Sequence, residues 1–141
     1  MRRVLLDTGP LVAYLNRRER NHPWALEAFA SVQPPLYTCE SVISEAVFLL
    51  TGYEPGPDAV LEMIGRGLID VGFAASPELG AIRRLMKRYA SVPMSLADAC
   101  LVRMSELDPD SVVLTLDGDF RVYRRNRRNV IPVWDHRRPA K

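Results

Sequence analysis

An α/β fold built on a parallel sheet is what this sequence predicts, and three observations carry the prediction. Short strand-like apolar runs alternate with segments of helical periodicity along the whole chain, the pattern of a sheet covered by helices on both faces. Two of the runs, VLL at 4–6 and SVVLTL at 111–116, read as buried strands. The chain's 141 residues, 48% of them hydrophobic, suit one domain spanning 1–141, with a core large enough to need no disulfides.

The elements follow in order. The strand Val4–Leu6 leads into a helix over 8–15, with Pro10 in the first turn, where a missing amide hydrogen costs nothing. His22-Pro23-Trp24 opens a helix reaching residue 32, and a strand follows at 36–38. The helix at 41–50 carries Ile43, Ala46, Val47 and Leu50 on one face. Gly52 and the turn-rich EPGPD end that unit. Helices at 58–64 and 77–89 flank a strand near Ile69–Phe73, and a helix is expected at 95–107. The strand at 111–116 and a last short strand at 130–133 complete the set. Tyr14, Trp24, Phe29 and Phe48 crowd the N-terminal half, more aromatic surface than one small core readily hides. In such sheets ligands bind outside the carboxyl ends of the strands.

Charge and cysteines narrow the function classes. The formal net charge is +2, from 19 basic and 17 acidic residues. The basic residues concentrate at the end: Arg121, Arg124, Arg125, Arg127, Arg128, Arg137, Arg138 and Lys141 face one acid, Asp135. Arginine's planar fork suits phosphate, so this segment is compatible with nucleic acid; a solvated tail is the plainer reading. Cys39 and Cys100 lie far apart in apolar stretches and read as reduced core residues of a cytoplasmic protein. No Cys/His spacing suggests zinc. No apolar run approaches the roughly 18 residues of a membrane span, and the apolar start is broken by Asp7, Gly9 and Pro10.

The acids fall where α/β sites form. Asp7 follows the first strand, and Asp117 follows VVLTL, with Asp119 two residues on. Asp7 also fits a helix cap and Asp117-Gly118 a plain turn. Asp98 is the single polar residue in the seven from Leu96 to Val102. A carboxylate in so apolar a helix is costly unless paired or bound to a metal, although Ser95-x-x-Asp98 also fits a capping box. Glu45 lies within SVISEAVFLL at an edge of the apolar stripe, where an ordinary exposed glutamate fits as well. Clustered acids raise one another's pKa unless a cation neutralises them. Oxygen ligands select hard cations such as magnesium or manganese, which suit phosphodiester hydrolysis. Ser/His/Asp catalysis lacks its GxSxG elbow and a paired histidine.

Four segments, LLDTGPLVAYLN, ISEAVFLL, SLADACLVRMSEL and VLTLDGDFRVYRR, occur in this order between residues 5 and 125. Together they resemble the PIN-domain superfamily, and within it the VapC-type toxins of toxin–antitoxin modules. The resemblance implies a three-layer α/β/α fold around a central parallel sheet, and cleavage of RNA with Mg2+ or Mn2+. By position it implies Asp7 and Asp98 as core metal ligands, Glu45 as a ligand or holder of the attacking water, and Asp117 as the fourth acid. Thr115 would orient the carboxylates, with Thr8 assisting; Ser95 would cap its helix; Asp119 is a spare acid of undecided role. A homodimer, inhibited by a small antitoxin protein laid in a groove near the site, is also implied. Arg121, Arg124 and Arg125 follow the last acid closely enough to reach flanking phosphates, and Tyr123 to stack on a base. The rival readings are a housekeeping RNA-processing nuclease and a non-catalytic PIN-like binding module. A phosphoacceptor aspartate is a third, and it would want a lysine near the site where the chain has only Lys87 and Lys141.

Overall fold

The computed structural model describes residues 2–136; Arg137, Arg138 and Lys141 of the basic run lie outside the described residues. Strand β1 (Val4–Leu6) is followed by α1 (Thr8–Leu15), α2 (His22–Ala30), β2 (Leu36–Cys39), α3 (Glu40–Leu49), α4 (Asp58–Gly65) and β3 (Ile69–Phe73). Then come α5 (Leu79–Arg88), α6 (Leu96–Leu107), β4 (Val112–Leu114), β5 (Arg124–Arg125), β6 (Asn129–Val130) and β7 (Val133–Trp134). The main sheet has the order β3-β2-β1-β4-β7, with every pair parallel.

This order fixes the site. The chain starts at the centre, works outward through β2 and β3, then returns to the other side of β1 as β4. The helices that follow β1 and precede β4 leave the sheet in different directions, so a crevice opens at the carboxyl ends of β1 and β4. Asp7 and Asp117 stand just beyond those two ends.

The consecutive apolar residues of the strands serve two cores, one per face of the sheet, because successive side chains point to opposite faces. Val4, Leu6 and Leu114 enter one core with Leu11 and Val12 of α1, Ala28 of α2, and Val60 and Met63 of α4. Leu5 and Val113 enter the other with Ile82 and Leu85 of α5 and Cys100 to Val102 of α6. Helix α3 serves both, with Val42 on one side and Ala46 and Leu50 on the other. Helices thus cover both faces of a parallel sheet, the expected α/β/α layering. Each fully buried leucine of this set contributes about 2 kcal/mol.

Three differences from the sequence reading have local causes. The strand expected at 130–133 is two strands: β6 pairs antiparallel with β5 in a separate hairpin, while β7 joins β4 in the main sheet. Pro132, which has no amide hydrogen, separates them. The helix expected from 77 begins as a 3₁₀ turn, Ser76–Glu78, before α5. Of the four aromatic residues in excess of one core, Tyr14 and Phe29 stack on each other at 4.1 Å and Trp24 packs against the core, whereas Phe48 is 77% exposed.

Gly9 lets α1 approach the exit of β4. A Cβ there would stand 3.3 Å from Leu116 Cβ, so only glycine gives this fit without displacing Leu116. Cys39 and Cys100 are buried free thiols. No helix among the described residues is long and apolar enough to cross a membrane.

Candidate active site

The crevice beyond β1 and β4 collects the acids. Asp7 is the N-cap of α1: its Oδ1 accepts from the Thr8 amide at 2.8 Å. Its Oδ2 accepts from the Thr115 hydroxyl at 2.6 Å. Thr115 is itself fully buried and also accepts the Asp117 amide at 2.9 Å. One hydroxyl therefore sets both the carboxylate after β1 and the loop after β4. The cap and turn readings of Asp7 and Asp117 are both realised, since Asp117 Oδ1 accepts the Asp119 amide at 2.9 Å. Capping uses one oxygen of each carboxylate and leaves lone pairs on the other.

Asp98 lies in the first turn of α6, whose N-cap Ser95 accepts the Asp98 amide at 3.0 Å. Only the serine half of the capping box forms through the backbone. The Asp98 carboxylate takes the Tyr123 hydroxyl at 2.8 Å. Oxygens of Asp98, Asp117 and Asp119 lie within 4.8 Å of one another, a spacing that one cation can bridge. Asp119 thus stands in the cluster.

The electrostatics match crowded acids. Burial above all, with the charges of Asp98 and Asp117, pushes the Asp7 carboxyl up to about 7 against the opposing hydrogen bonds from Thr115 and Thr8. Burial likewise raises Asp98, against the Tyr123 hydrogen bond. Acids held this far above their ordinary range lack a compensating positive charge. Among the described residues no lysine or arginine forms an ion pair with Asp7, Asp98, Asp117 or Asp119. The all-oxygen set fits a hard divalent cation.

Glu45 stands at the rim. It is exposed on α3, and its Oε1 accepts the Thr8 hydroxyl at 2.9 Å. Thr8 therefore links Glu45 to Asp7 through one residue.

The residues expected to meet RNA are placed differently. Tyr123 is fully buried between Tyr89 and Phe120, with ring centroids 5.1 and 5.3 Å away. It offers no face to a base; it holds Asp98 instead. Arg121 pairs with buried Asp135 at 2.6 Å. Arg124 donates to the carbonyls of Arg121, Val122 and Tyr123, and Arg125 to those of Ser105 and Pro109. These three guanidinium groups brace the hairpin and its approach rather than standing free for phosphate. A signal for Tyr123 exists in the sequence: Phe120 and Tyr123 are spaced by three in an otherwise basic run, the spacing of a buried edge.

Comparison with known proteins agrees with this architecture. The PIN domain family matches residues 4–126. Ribonuclease VapC26 of Mycobacterium tuberculosis (strain ATCC 25618 / H37Rv) is 26% identical over 117 residues, covering 81% of this chain and 86% of that protein. The crystal structure of Mycobacterium tuberculosis VapC20, described as a sarcin–ricin loop cleaving toxin, superposes with a TM-score of 0.76 at 20% identity. The superposition covers 84% of this chain and 93% of that one.

Proposed function

The chain belongs to the PIN domain family, and from that premise we propose that it is a metal-dependent endoribonuclease, the toxin of a toxin–antitoxin pair, working in the cytoplasm as one domain. The observation that carries the reading is the acid cluster: Asp98, Asp117 and Asp119 within 4.8 Å, beside a buried Asp7 whose carboxyl is raised to about 7. The kinship to Ribonuclease VapC26 supports RNA as the substrate.

Asp7, Asp98, Asp117 and Asp119 would hold Mg2+ or Mn2+. Such a cation supplies a Lewis acid that activates water and offsets charge on the phosphoryl group. The protein's part is positional. Thr115 fixes Asp7 and the Asp117 loop, Tyr123 fixes Asp98, and Thr8 orients Glu45. Glu45, exposed at the rim, would take the proton of the attacking water. Water attacks phosphorus in line, the bond to the 3′ oxygen breaks, and the products carry 5′-phosphate and 3′-hydroxyl ends.

A homodimer fits the surface. Phe48, Leu49, Tyr53 and Leu61 are exposed large apolar residues on α3, the turn after it and α4, the kind of patch that marks an interface. A small antitoxin protein would be the second partner.

The test is Asp98→Asn. The Ser95 cap on the backbone is retained, so the helix should fold, while magnesium-dependent cleavage of RNA should be abolished. Cleavage near the wild-type rate would remove Asp98 from the centre and with it the proposed reaction.

A further inference from the structure

Helices α5 and α6 and the tip of the β5–β6 hairpin border an open hollow of about 180 Å³. Its lining includes Arg84 and Arg88 of α5, Arg103 and Glu106 of α6, and Asn126 and Arg127 of the hairpin. Arg103 is compensated: it pairs with Glu78 at 2.7 Å and with Glu106 at 3.1 Å. Arg84, Arg88 and Arg127 form no ion pair or side-chain hydrogen bond among the described residues. Three exposed arginines thus line one hollow without an ion-pair partner among the described residues. The one acid of the lining, Glu106, is already engaged by Arg103 and the Asn126 amide, so an anion from outside would find these three unpaired.

The hairpin tip adds a second sign of function. Asn126 and Arg127 have φ of +49° and +74°, a left-handed conformation that favours glycine. The Asn126 amide is held there by Glu106 Oε2 at 2.7 Å. Backbone strain of this kind costs of order 1–3 kcal/mol per residue and gathers at binding sites. Here it brings Arg127 to the same hollow as Arg84 and Arg88. Lys87 and Arg88 in the last turn of α5 also complement the helix dipole, but that accounts for neither Arg84 nor Arg127.

One wall of the cavity is chemically linked to the acid centre through its chain neighbours. Arg88 precedes Tyr89, whose ring packs on Tyr123 at 5.1 Å, and Tyr123 donates to Asp98. The same two elements, α6 and the β5–β6 hairpin region, thus contribute both to the hollow and to the setting of Asp98.

We propose that this arginine-lined cavity grips backbone phosphates of the RNA strand outside the cleaved bond. The assignment rests on the reading of the chain as a ribonuclease. Planar guanidinium forks match phosphate oxygens in pairs. The hollow takes a phosphate and part of its sugar, whereas a helix about 10–12 Å across would not enter.

The test is a variant carrying Arg84→Ala, Arg88→Ala and Arg127→Gly, with binding measured in EDTA so that no cleavage occurs. Glycine accepts the hairpin's φ, so Arg127→Gly alone should keep the melting temperature while weakening binding; this separates a missing phosphate partner from a failure to fold. For a fluorescein-labelled single-stranded RNA of about 20 nucleotides, affinity of the triple variant should fall on the order of tenfold. The log–log salt slope should shrink by roughly 2, near 0.7 for each phosphate no longer neutralised. An unchanged slope overturns the proposal. So does a polyglutamate peptide that binds wild type but not the variant while RNA binding is unaffected, which would give the cavity to an acidic protein. Wild-type cleavage in magnesium is followed separately. Absent cleavage with variant-sensitive RNA binding would overturn the nuclease reading and leave the cavity assignment standing.

Discussion

The Thr115 hydroxyl donates to Asp7 Oδ2 at 2.6 Å, joining two residues 108 positions apart and, through the Asp117 amide, the loop of a third. Thr115 touches no solvent, so its role is to hold carboxylates. Thr115→Val keeps the shape and removes the donor. Magnesium-dependent cleavage should fall roughly 10–100-fold, as when an outer partner of a metal ligand is removed, and unfolding free energy by about 1–3 kcal/mol. Thr115→Ser should restore most of both. A magnesium titration of cleavage, with denaturant unfolding alongside, measures the two effects.

Asp7 makes the metal-free protein sensitive to pH. Its carboxyl rises from an ordinary 3.8 to about 7 in the fold. A group raised on folding adds stability in full below its unfolded pKa and loses that contribution as pH climbs through the folded value. Stability in EDTA should therefore decline from about pH 4 to about pH 7, and Asp7→Asn should flatten that decline. At pH 7.5 the metal-free Asp7→Asn protein should melt no lower than wild type, because one repelling charge is gone. Magnesium should then raise the wild-type melting temperature and leave that of the variant nearly unchanged. Equal gains in both proteins would take Asp7 out of the cation site.

Tyr123→Phe separates holding an acid from filling the core. The ring stays packed on Tyr89 and Phe120, and only the bond to Asp98 disappears. The expected cost in stability is about 1 kcal/mol. The cleavage rate should fall at saturating RNA, while RNA affinity in EDTA stays at the wild-type value. A marked drop in affinity would return Tyr123 to base stacking.

Asp135 and Arg121 form a charge pair with the acid almost fully buried. Removing one partner of such a pair leaves the other charged and poorly solvated. Asp135→Ala should lower stability by about 2–4 kcal/mol, somewhat under the range for fully buried pairs because Arg121 keeps some solvent exposure. The double variant Arg121→Met with Asp135→Leu should recover much of that deficit. Chemical denaturation of the three proteins decides the matter.

Phe48 tests association. Phe48→Asp should shift the protein to monomer in light scattering at micromolar concentration, with its melting curve otherwise retained, since the side chain is 77% exposed. A wild-type monomer under the same conditions would remove the dimer.

Much of the fold is legible in the sequence because buried strands and amphipathic helices differ in period. VLL and VVL announce β1 and β4, and the acids after them point to the correct edge of the sheet. The hairpin at 124–130 is not legible: two-residue strands carry no period, and its turn uses Asn126 and Arg127 where a glycine would have signalled it. Asp98 stands out as one acid in an apolar helix. Tyr123 misleads because arginines surround it in sequence, whereas burial is decided by the residues three positions apart that share its face. The free arginines of the α5–α6 cavity cannot be told from the tied ones, because side-chain pairing is a tertiary property.

The long span of the Thr115–Asp7 bond has a consequence for the timing of synthesis. Asp7 is made well before its orienting hydroxyl and the acids of the Asp117 loop, which arrive more than 100 residues later. A chain emerging N-terminus first can fold its early strands and helices, but no growing intermediate owns a complete acid centre. A centre split between segments more than 100 residues apart keeps the nascent protein inactive until the Asp117 loop has emerged.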